Sequence, residues 1–433
     1  MTLTNIDGQN LMLNKIIAFC LVLVTGGYQI VFSDSSVALI SIETTHPMMP
    51  GTPVSINFDK IDLENSLRLE KITASDRIPI PFQIEKRESP RLWWLLPEKL
   101  LPGEKQIYEL VSGELVMAQP IQICMNNQML EIYQNEQPRL AYRYAILPPP
   151  AGENPLFARS GFIHPLWTPD GKILTRIHPS DHIHHLGLWL PWTKTRFEGR
   201  EVDFWNLIEG QGTVRFVSFD EISTGQVYGA FIAKQQYVDL SNPGGEKVAL
   251  NENFSIKVWT QADSLKNFWI GDFTVSQQCA SSSPLTILQY RYSGFGFRGT
   301  ADWDGKNSNY LTSDGKNRAD GNGTRARWCN VFGKTDKGPA GILFLSHPEN
   351  HEHPEPMRIW PEGDVFFGFC PVVYADWEMV PGNQYVRKYR MIVYDGEITA
   401  ERAEQFWQNF AYLPEIKVEW KIQLQDQRTK KSK

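Results

Sequence analysis

Four of the chain's nine histidines stand in the stretch His178-Pro-Ser-Asp-His-Ile-His-His-Leu-Gly-Leu-Trp189, beside Asp181. Imidazole can move a proton near neutral pH or ligate a metal through a neutral nitrogen, and a carboxylate next to it can fix its tautomer. Pro179 and Gly187 bound the run, which predicts a loop feeding a strand near Leu188. Three readings compete. As acid–base groups, His182, His184 and His185 exchange protons with a bound substrate while Asp181 orients them. As a site for a divalent metal, His182 and His184 face the same way on a locally extended chain, with His178 or Asp203 completing the shell. That spacing matches no established zinc pattern. As plain structure, the residues cap turns and fill polar layers under a loop. Three histidines in four residues are unusual for a core, so a functional role is the favoured reading, and which role stays open. No cofactor is expected beyond such a metal.

The next segment, Pro191 to Trp205, interleaves Trp192 and Trp205 with Lys194, Arg196, Glu198, Arg200, Glu201 and Asp203, and Trp189 stands just before it. Aromatic faces beside charged groups grip sugars, because rings stack on C–H surfaces while hydroxyls take charged partners. The ordinary alternative is a solvated hairpin with two core tryptophans. A third cluster, Ser346-His-Pro-Glu-Asn-His-Glu-His-Pro-Glu355, runs on to Met357-Arg-Ile-Trp360. His347 follows the apolar run 341–345 and is expected to point inward. Arg291, Glu378 and Arg390 are further candidates for anion or hydroxyl contacts, although an exposed strand position is the commoner fate of such residues.

These groups need a scaffold, and the chain reads as β nearly throughout. Apolar or alternating runs include residues 37–42, 53–58, 106–111, 213–219, 254–259 and 268–275. In the longest, 385–394, charged residues interleave with apolar ones, as on a strand with one wet face. Turn chemistry at 243–245, 304–305 and 314–315 separates the runs. One helical period stands out after Thr399, with Ala403, Phe406, Trp407 and Phe410 at i, i+3, i+4 and i+7. The fold class predicted is all-β: a large antiparallel β-sandwich with a small N-terminal β-domain and one C-terminal helix. The divisions expected are an export segment at 1–35, the small domain at 36–115, the larger unit at 120–415 and a tail at 416–433.

Length, composition and charge narrow the function classes. With 433 residues, 42% of them hydrophobic, the chain can bury a large core and is not a disordered polymer. A net charge of −6 gives no reason to expect a nucleic-acid partner. Only residues 16–32 approach the length of a membrane span. Lys15 before them and small residues after them form the pattern of a secretory signal. The expectation is a periplasmic or secreted protein with no stable membrane insertion after signal removal, or one anchored if the segment is uncleaved. Cys124, Cys279, Cys329 and Cys370 then remain. They allow three disulfide pairings, or stay as four thiols.

Several separated stretches together resemble the bacterial family labelled methane oxygenase PmoA. They are Gly161-Phe-Ile-His-Pro-Leu166, Pro169-Asp-Gly-Lys-Ile-Leu-Thr175, Asp181-His-Ile-His-His185, Gly199-Arg-Glu-Val-Asp-Phe-Trp205 and His347-Pro-Glu-Asn350. The resemblance covers roughly residues 120–415 and departs from the family pattern at Ile183 and Leu186. It does not imply a membrane oxygenase, which needs several spanning helices. It implies an exported β-rich protein with a galactose-mutarotase-like supersandwich, in which a sugar lies on the concave face of a large sheet. It carries over His182, His184, His185 and Asp203 as the proton-transfer groups. The function expected is a carbohydrate-active enzyme acting on a sugar or glycoside as a hydrolase, lyase or epimerase. A non-catalytic sugar-binding protein and a metal-dependent enzyme are the alternatives.

Overall fold

The computed structural model describes residues 36–421, apart from 59–65, 88, 115–119 and 262–266, together with the backbone of a short strand pair, Leu23–Thr25 with Tyr28–Ile30. The signal segment expected at 1–35 otherwise lies outside the described residues, as does the stretch 422–433.

Two eight-stranded antiparallel sheets make the main body. The front sheet runs in the order Gln122–Met125, Met129–Gln134, Gln137–Arg143, Phe162–Leu166, Leu188–Trp189, Gly296–Arg298, Phe366–Phe369, Met357–Ile359. The back sheet runs Gly212–Ser223, Tyr228–Asp239, Lys247–Trp259, Phe268–Cys279, Tyr385–Asp395, Gly338–Ser346, Trp328–Thr335, Ser308–Thr312. Alternation along each strand sends one set of side chains between the sheets. Ile132, Leu140, Ile163, Leu188, Phe297 and Phe367 come from the front, and Phe254, Ile256, Phe273, Val275, Phe344, Met391 and Val393 from the back. Each such burial contributes ~1.5–3 kcal/mol, and together they hold the sheets face to face.

The back sheet is covered on its other face too. Helix Ala400–Ala411, capped by the Thr399 hydroxyl accepting from the Arg402 amide, lays Ala403, Phe406 and Trp407 against Ile270, Leu343, Leu345 and Ile392. This changes the reading of the strand Tyr385–Asp395. It has no wet face at its centre: Arg387 and Arg390 are buried, and Arg390 pairs with Asp272 at 2.6 and 2.8 Å beneath the Phe410 ring. An interleaved arginine looks the same in sequence whether it meets water or a buried carboxylate.

The N-terminal residues form their own small sandwich. Its five-stranded sheet is ordered Glu415–Trp420, Ser36–Glu43, Lys105–Ser112, Leu67–Ile72, Arg77–Ile80, and the facing sheet Pro53–Asn57, Arg91–Leu95, Phe82–Glu85. Residues 415–420, assigned from sequence to the end of the large unit and to the tail, are instead an edge strand here, with Ile416, Val418 and Trp420 on its core. Lys257 ties the units together. Its ammonium lies 3.3 Å from Glu85, 4.5 Å from the Trp93 ring and 4.2 Å from the Tyr228 ring. The all-β class, the sandwich and the single late helix are as predicted. All four described cysteines are unpaired, with Cys329 and Cys370 buried.

Candidate functional site

The site is a consequence of strand parity on the front sheet. Residues Ile163, Leu188, Phe297, Phe367 and Ile359 face the core, so their neighbours Phe162, Trp189, Arg298, Phe366 and Arg358 face outward. Register sets them side by side, with Trp189 opposite Gly296, Arg298 opposite Phe366 and Arg358 opposite Gly368. An aromatic and cationic patch is thereby built on the outer face of the sheet. A glycine at 296 is required by the close approach of Trp205, whose ring lies 2.6 Å from where a Cβ would stand.

The histidine loop folds over this patch. An Ile177–Leu186 bridge closes its base, and successive turns run from the His182 amide to the Pro179 carbonyl and from the His185 amide to the His182 carbonyl. His178 adopts φ 47° and donates from Nδ1 to the Ile183 carbonyl at 2.7 Å. It clips the loop and does not line the pocket. Gly187 ends the loop at φ 70°, where an added Cβ would lie 2.4 Å from the Ile163 carbonyl oxygen. Gly187→Ala is therefore expected to cost ~2 kcal/mol or more, since it adds left-handed strain to a backbone clash. Urea denaturation checks this, and a loss below ~0.5 kcal/mol would contradict it.

Between the loop and the segment 358–366 lies a pocket of about 400 Å³ lined by His182, His184, His185, Trp205, Arg291, Tyr292, Arg358, Trp360, Pro361, Glu362 and Phe366. The three loop histidines thus come together. The His182 and His185 rings stack 4.7 Å apart, and His184 stands edge-on to His185 at 4.7 Å. Trp360 packs 4.8 Å from His182, and Phe366 stacks 5.1 Å from His185. Among the described residues no group of three or more His, Cys, Asp or Glu is arranged to hold a metal ion.

Charged groups are linked in a chain beneath the loop. Asp181 Oδ2 lies 3.0 Å from His182 Nδ1, and both Asp181 oxygens accept from Arg298 Nη2 at 2.7 Å. Arg298, fully buried, also donates to Asp364 Oδ2 at 2.6 Å and lies 4.7 Å over the Trp360 ring, while Arg176 donates to the same Asp364 oxygen. Partial burial alone would raise the Asp181 pKa; the hydrogen bonds from Arg298 and His182 outweigh it and hold the carboxyl below its usual range. A carboxylate on Nδ1 leaves Nε2 of neutral His182 as a proton acceptor. His185 is set the other way: its Nδ1 accepts from Arg298 at 3.4 Å, which puts the ring proton on Nε2.

Burial, reinforced by neighbouring cations, pushes His184 down to about 4 and His185 well below its ordinary value, so both are neutral at pH 7. Burial raises the Tyr292 phenol to about 12 and keeps it protonated, donating to Asn206 at 3.0 Å. The pocket wall therefore offers unprotonated imidazoles and a protonated phenol.

Neutral burial of histidine has a consequence for acid stability. Burial likewise pushes His164 and His353 to about 4. With unfolded values near 6.5, the folded chain binds fewer protons than the unfolded one between about pH 4 and pH 6.5. Stability from these four groups is complete above that window and is lost as pH falls through it. Glu252, raised to about 6 by burial, and Glu355, also raised, oppose this over a narrower range. Four groups outweigh two, so the melting temperature should be several degrees lower at about pH 5 than at about pH 7.5. A melting temperature that rises on acidification would contradict it.

The remaining residues singled out from sequence lie elsewhere. Asp203 does not reach the pocket, because its carboxylate accepts from the Trp205 and Asn206 amides at 2.7 and 2.9 Å and from the Asn206 side chain. It is a turn-former that seats Trp205, not an opposing acid. Trp189 is wholly buried one layer below, 5.0 Å from Trp205. Trp192 belongs to the interior, donating to Gln277 at 3.1 Å under the Arg387 guanidinium. Lys194 stands exposed 5.2 Å from the Tyr290 ring, and Glu378 is exposed on the strand Trp377–Met379. His347 is turned inward as expected, but against Phe410 of the helix behind the back sheet, away from the pocket. Of the candidate binding residues, Arg291 and Trp205 line the pocket. Nothing in the local residue pattern singles out Arg298, Tyr292, Arg358, Trp360, Glu362 or Phe366 individually. They lie 100 or more residues downstream, and only strand pairing brings them to the loop.

The heparan sulfate lyase HepC from Pedobacter heparinus aligns with a TM-score of 0.31 at 10% identity, over 66% of this chain and 38% of its own. The GH36 alpha-galactosidase AgaA from Geobacillus stearothermophilus aligns with a TM-score of 0.32 at 10% identity, over 64% of this chain and 41% of its own. The chain thus spans less than half the length of these structures. No curated protein matches it. The resemblance to the methane oxygenase PmoA family is overturned, because the family model that matches is a different one. Residues 129–408 match the model described as a family of unknown function, DUF6807, and the chain belongs to that family.

Proposed function

We propose that the protein is a carbohydrate-active enzyme that works on a sugar or glycoside by acid–base catalysis in this pocket, as a hydrolase, lyase or epimerase. The observation that carries the reading is the linked chain Arg298–Asp181–His182, which ends at a pocket walled by aromatic rings. A carboxylate held by a buried guanidinium fixes His182 with Nε2 free, the arrangement needed to take a proton from a bound hydroxyl, water or carbon acid. His185 and the protonated phenol of Tyr292 line the same space, and the phenol is the group assigned to return a proton to the departing group. Trp360 and Tyr292, both part-exposed, supply faces on which a sugar ring stacks, over a floor that the buried Trp205 ring supports.

The test is incubation of the purified protein with a panel of oligosaccharides and glycosides, with products read by mass spectrometry. A product formed by wild type and absent with His182→Ala supports the reading. No product over the panel, together with a melting-temperature rise caused by one sugar, would replace it with a non-catalytic sugar-binding protein.

A further inference from the structure

The pocket holds a charge imbalance that proton transfer does not use. Behind its floor the charges cancel, with Arg176 and Arg298 set against Asp181 and Asp364. In its wall they do not. Arg291 and Arg358 both line it, against the single carboxylate of Glu362. Among the described residues neither guanidinium has a carboxylate within ion-pair distance. Arg358 is half-buried and donates only to Asn322, at 3.1 Å, and Arg291 lies 5.8 Å from the rings of Tyr290 and Tyr292. Burial first, and then the like charge of Arg291, hold the Arg358 pKa down, so the two cations repel one another across the site.

Two unneutralised cations in one pocket wall, the half-buried Arg358 and the exposed Arg291, repel one another, and a bound anion relieves that cost. This occurs in a chain of net charge −6, so the positive pocket is a local feature and not a general one. The neutral state of His184 and His185 has the same sense, since protonated imidazoles would add to the repulsion. Guanidinium is the side chain that grips carboxylate or sulfate through paired N–H groups.

We infer that the pocket takes an anionic sugar, one bearing a carboxylate or a sulfate, which Arg291 and Arg358 hold while the sugar ring lies against Trp360 and Tyr292. This rests on the sugar-binding reading above and narrows it to a substrate class. Arg291 and Arg358 are specificity groups in this arrangement, and His182 keeps the proton transfer.

The experiment is calorimetric titration of the full chain with three probes: a digalacturonate, 6-sulfated N-acetylglucosamine, and the neutral disaccharide cellobiose. One anionic probe should bind about tenfold or more tightly than cellobiose, a difference of ~1.4 kcal/mol. The preference should weaken as salt is raised. Preference for the uronate assigns a carboxylate, and preference for the sulfated sugar assigns a sulfate. In Arg291→Gln/Arg358→Gln the preference should vanish, the anionic probe then binding no more tightly than cellobiose does to the same variant. Arg358→Lys, which retains the charge, should preserve part of it and guards against a folding defect in the double variant. Equal binding of charged and neutral sugars, or a preference that survives the double substitution, overturns the anionic class and leaves the sugar reading standing. Absence of binding by any sugar overturns both.

Discussion

His182→Ala should lower turnover by about 10²- to 10⁴-fold, the usual contribution of one positioned acid–base group, while leaving the folded state nearly as stable as wild type. The side chain is 39% exposed, and its one hydrogen bond is to Asp181, which keeps Arg298 when the imidazole is gone. Little folding energy is therefore at stake, and the loss should fall on kcat. Asp181→Asn separates the roles further. It retains the shape but changes which His182 nitrogen is free, so activity should fall with the imidazole still present. Steady-state kinetics and thermal melts on both variants provide the check. Unchanged kcat in His182→Ala would remove the base from its assigned place.

The second large effect is on stability. Arg298→Met should destabilise the protein by ~2–4 kcal/mol, because it removes a fully buried guanidinium that serves two carboxylates and one imidazole. The upper part of the usual range for breaking a buried pair is not expected. Asp181 and Asp364 keep 41% and 33% of their side-chain exposure, so water compensates part of the loss. Met fills the stem's volume, and the deficit then reports on charge and not on a cavity. A lower midpoint in urea with unchanged slope is the expected signature. A variant as stable as wild type would mean that the chain of ion pairs is ornamental to the fold. Activity should fall as well, since Asp181 would lose the partner that fixes it under His182.

The histidine loop was legible because its signal is local: three histidines in four residues, bounded by Pro179 and Gly187. The late helix was legible for the same reason, with its period written in Ala403, Phe406, Trp407 and Phe410. What could not be read is whatever depends on pairing between distant strands. Arg298, Arg358 and Trp360 sit in short segments without distinctive spacing, and they meet the loop only through the register of Gly296–Arg298, Phe366–Phe369 and Met357–Ile359. Asp203 misled for a related reason. An aspartate before Phe-Trp-Asn looks equally suited to catalysis or to holding a turn, and only its two backbone amide donors decide the matter. His347 follows an apolar run and does point inward, but into the layer under the helix. Burial is readable from such a pattern, whereas the side of the sheet is not.

The most direct test of the central claim, that the histidine loop is where sugar binds and proton transfer occurs, is chemical footprinting of histidines. The full chain is treated with diethyl pyrocarbonate with and without the sugar that gives product, and the modified peptides are quantified by mass spectrometry. The expected result is modification at His182 that tracks loss of activity and is suppressed by the sugar, with His347 and His351 unaffected by it. Protection confined to His347 or His351, or activity that survives full modification of His182, would contradict the assignment.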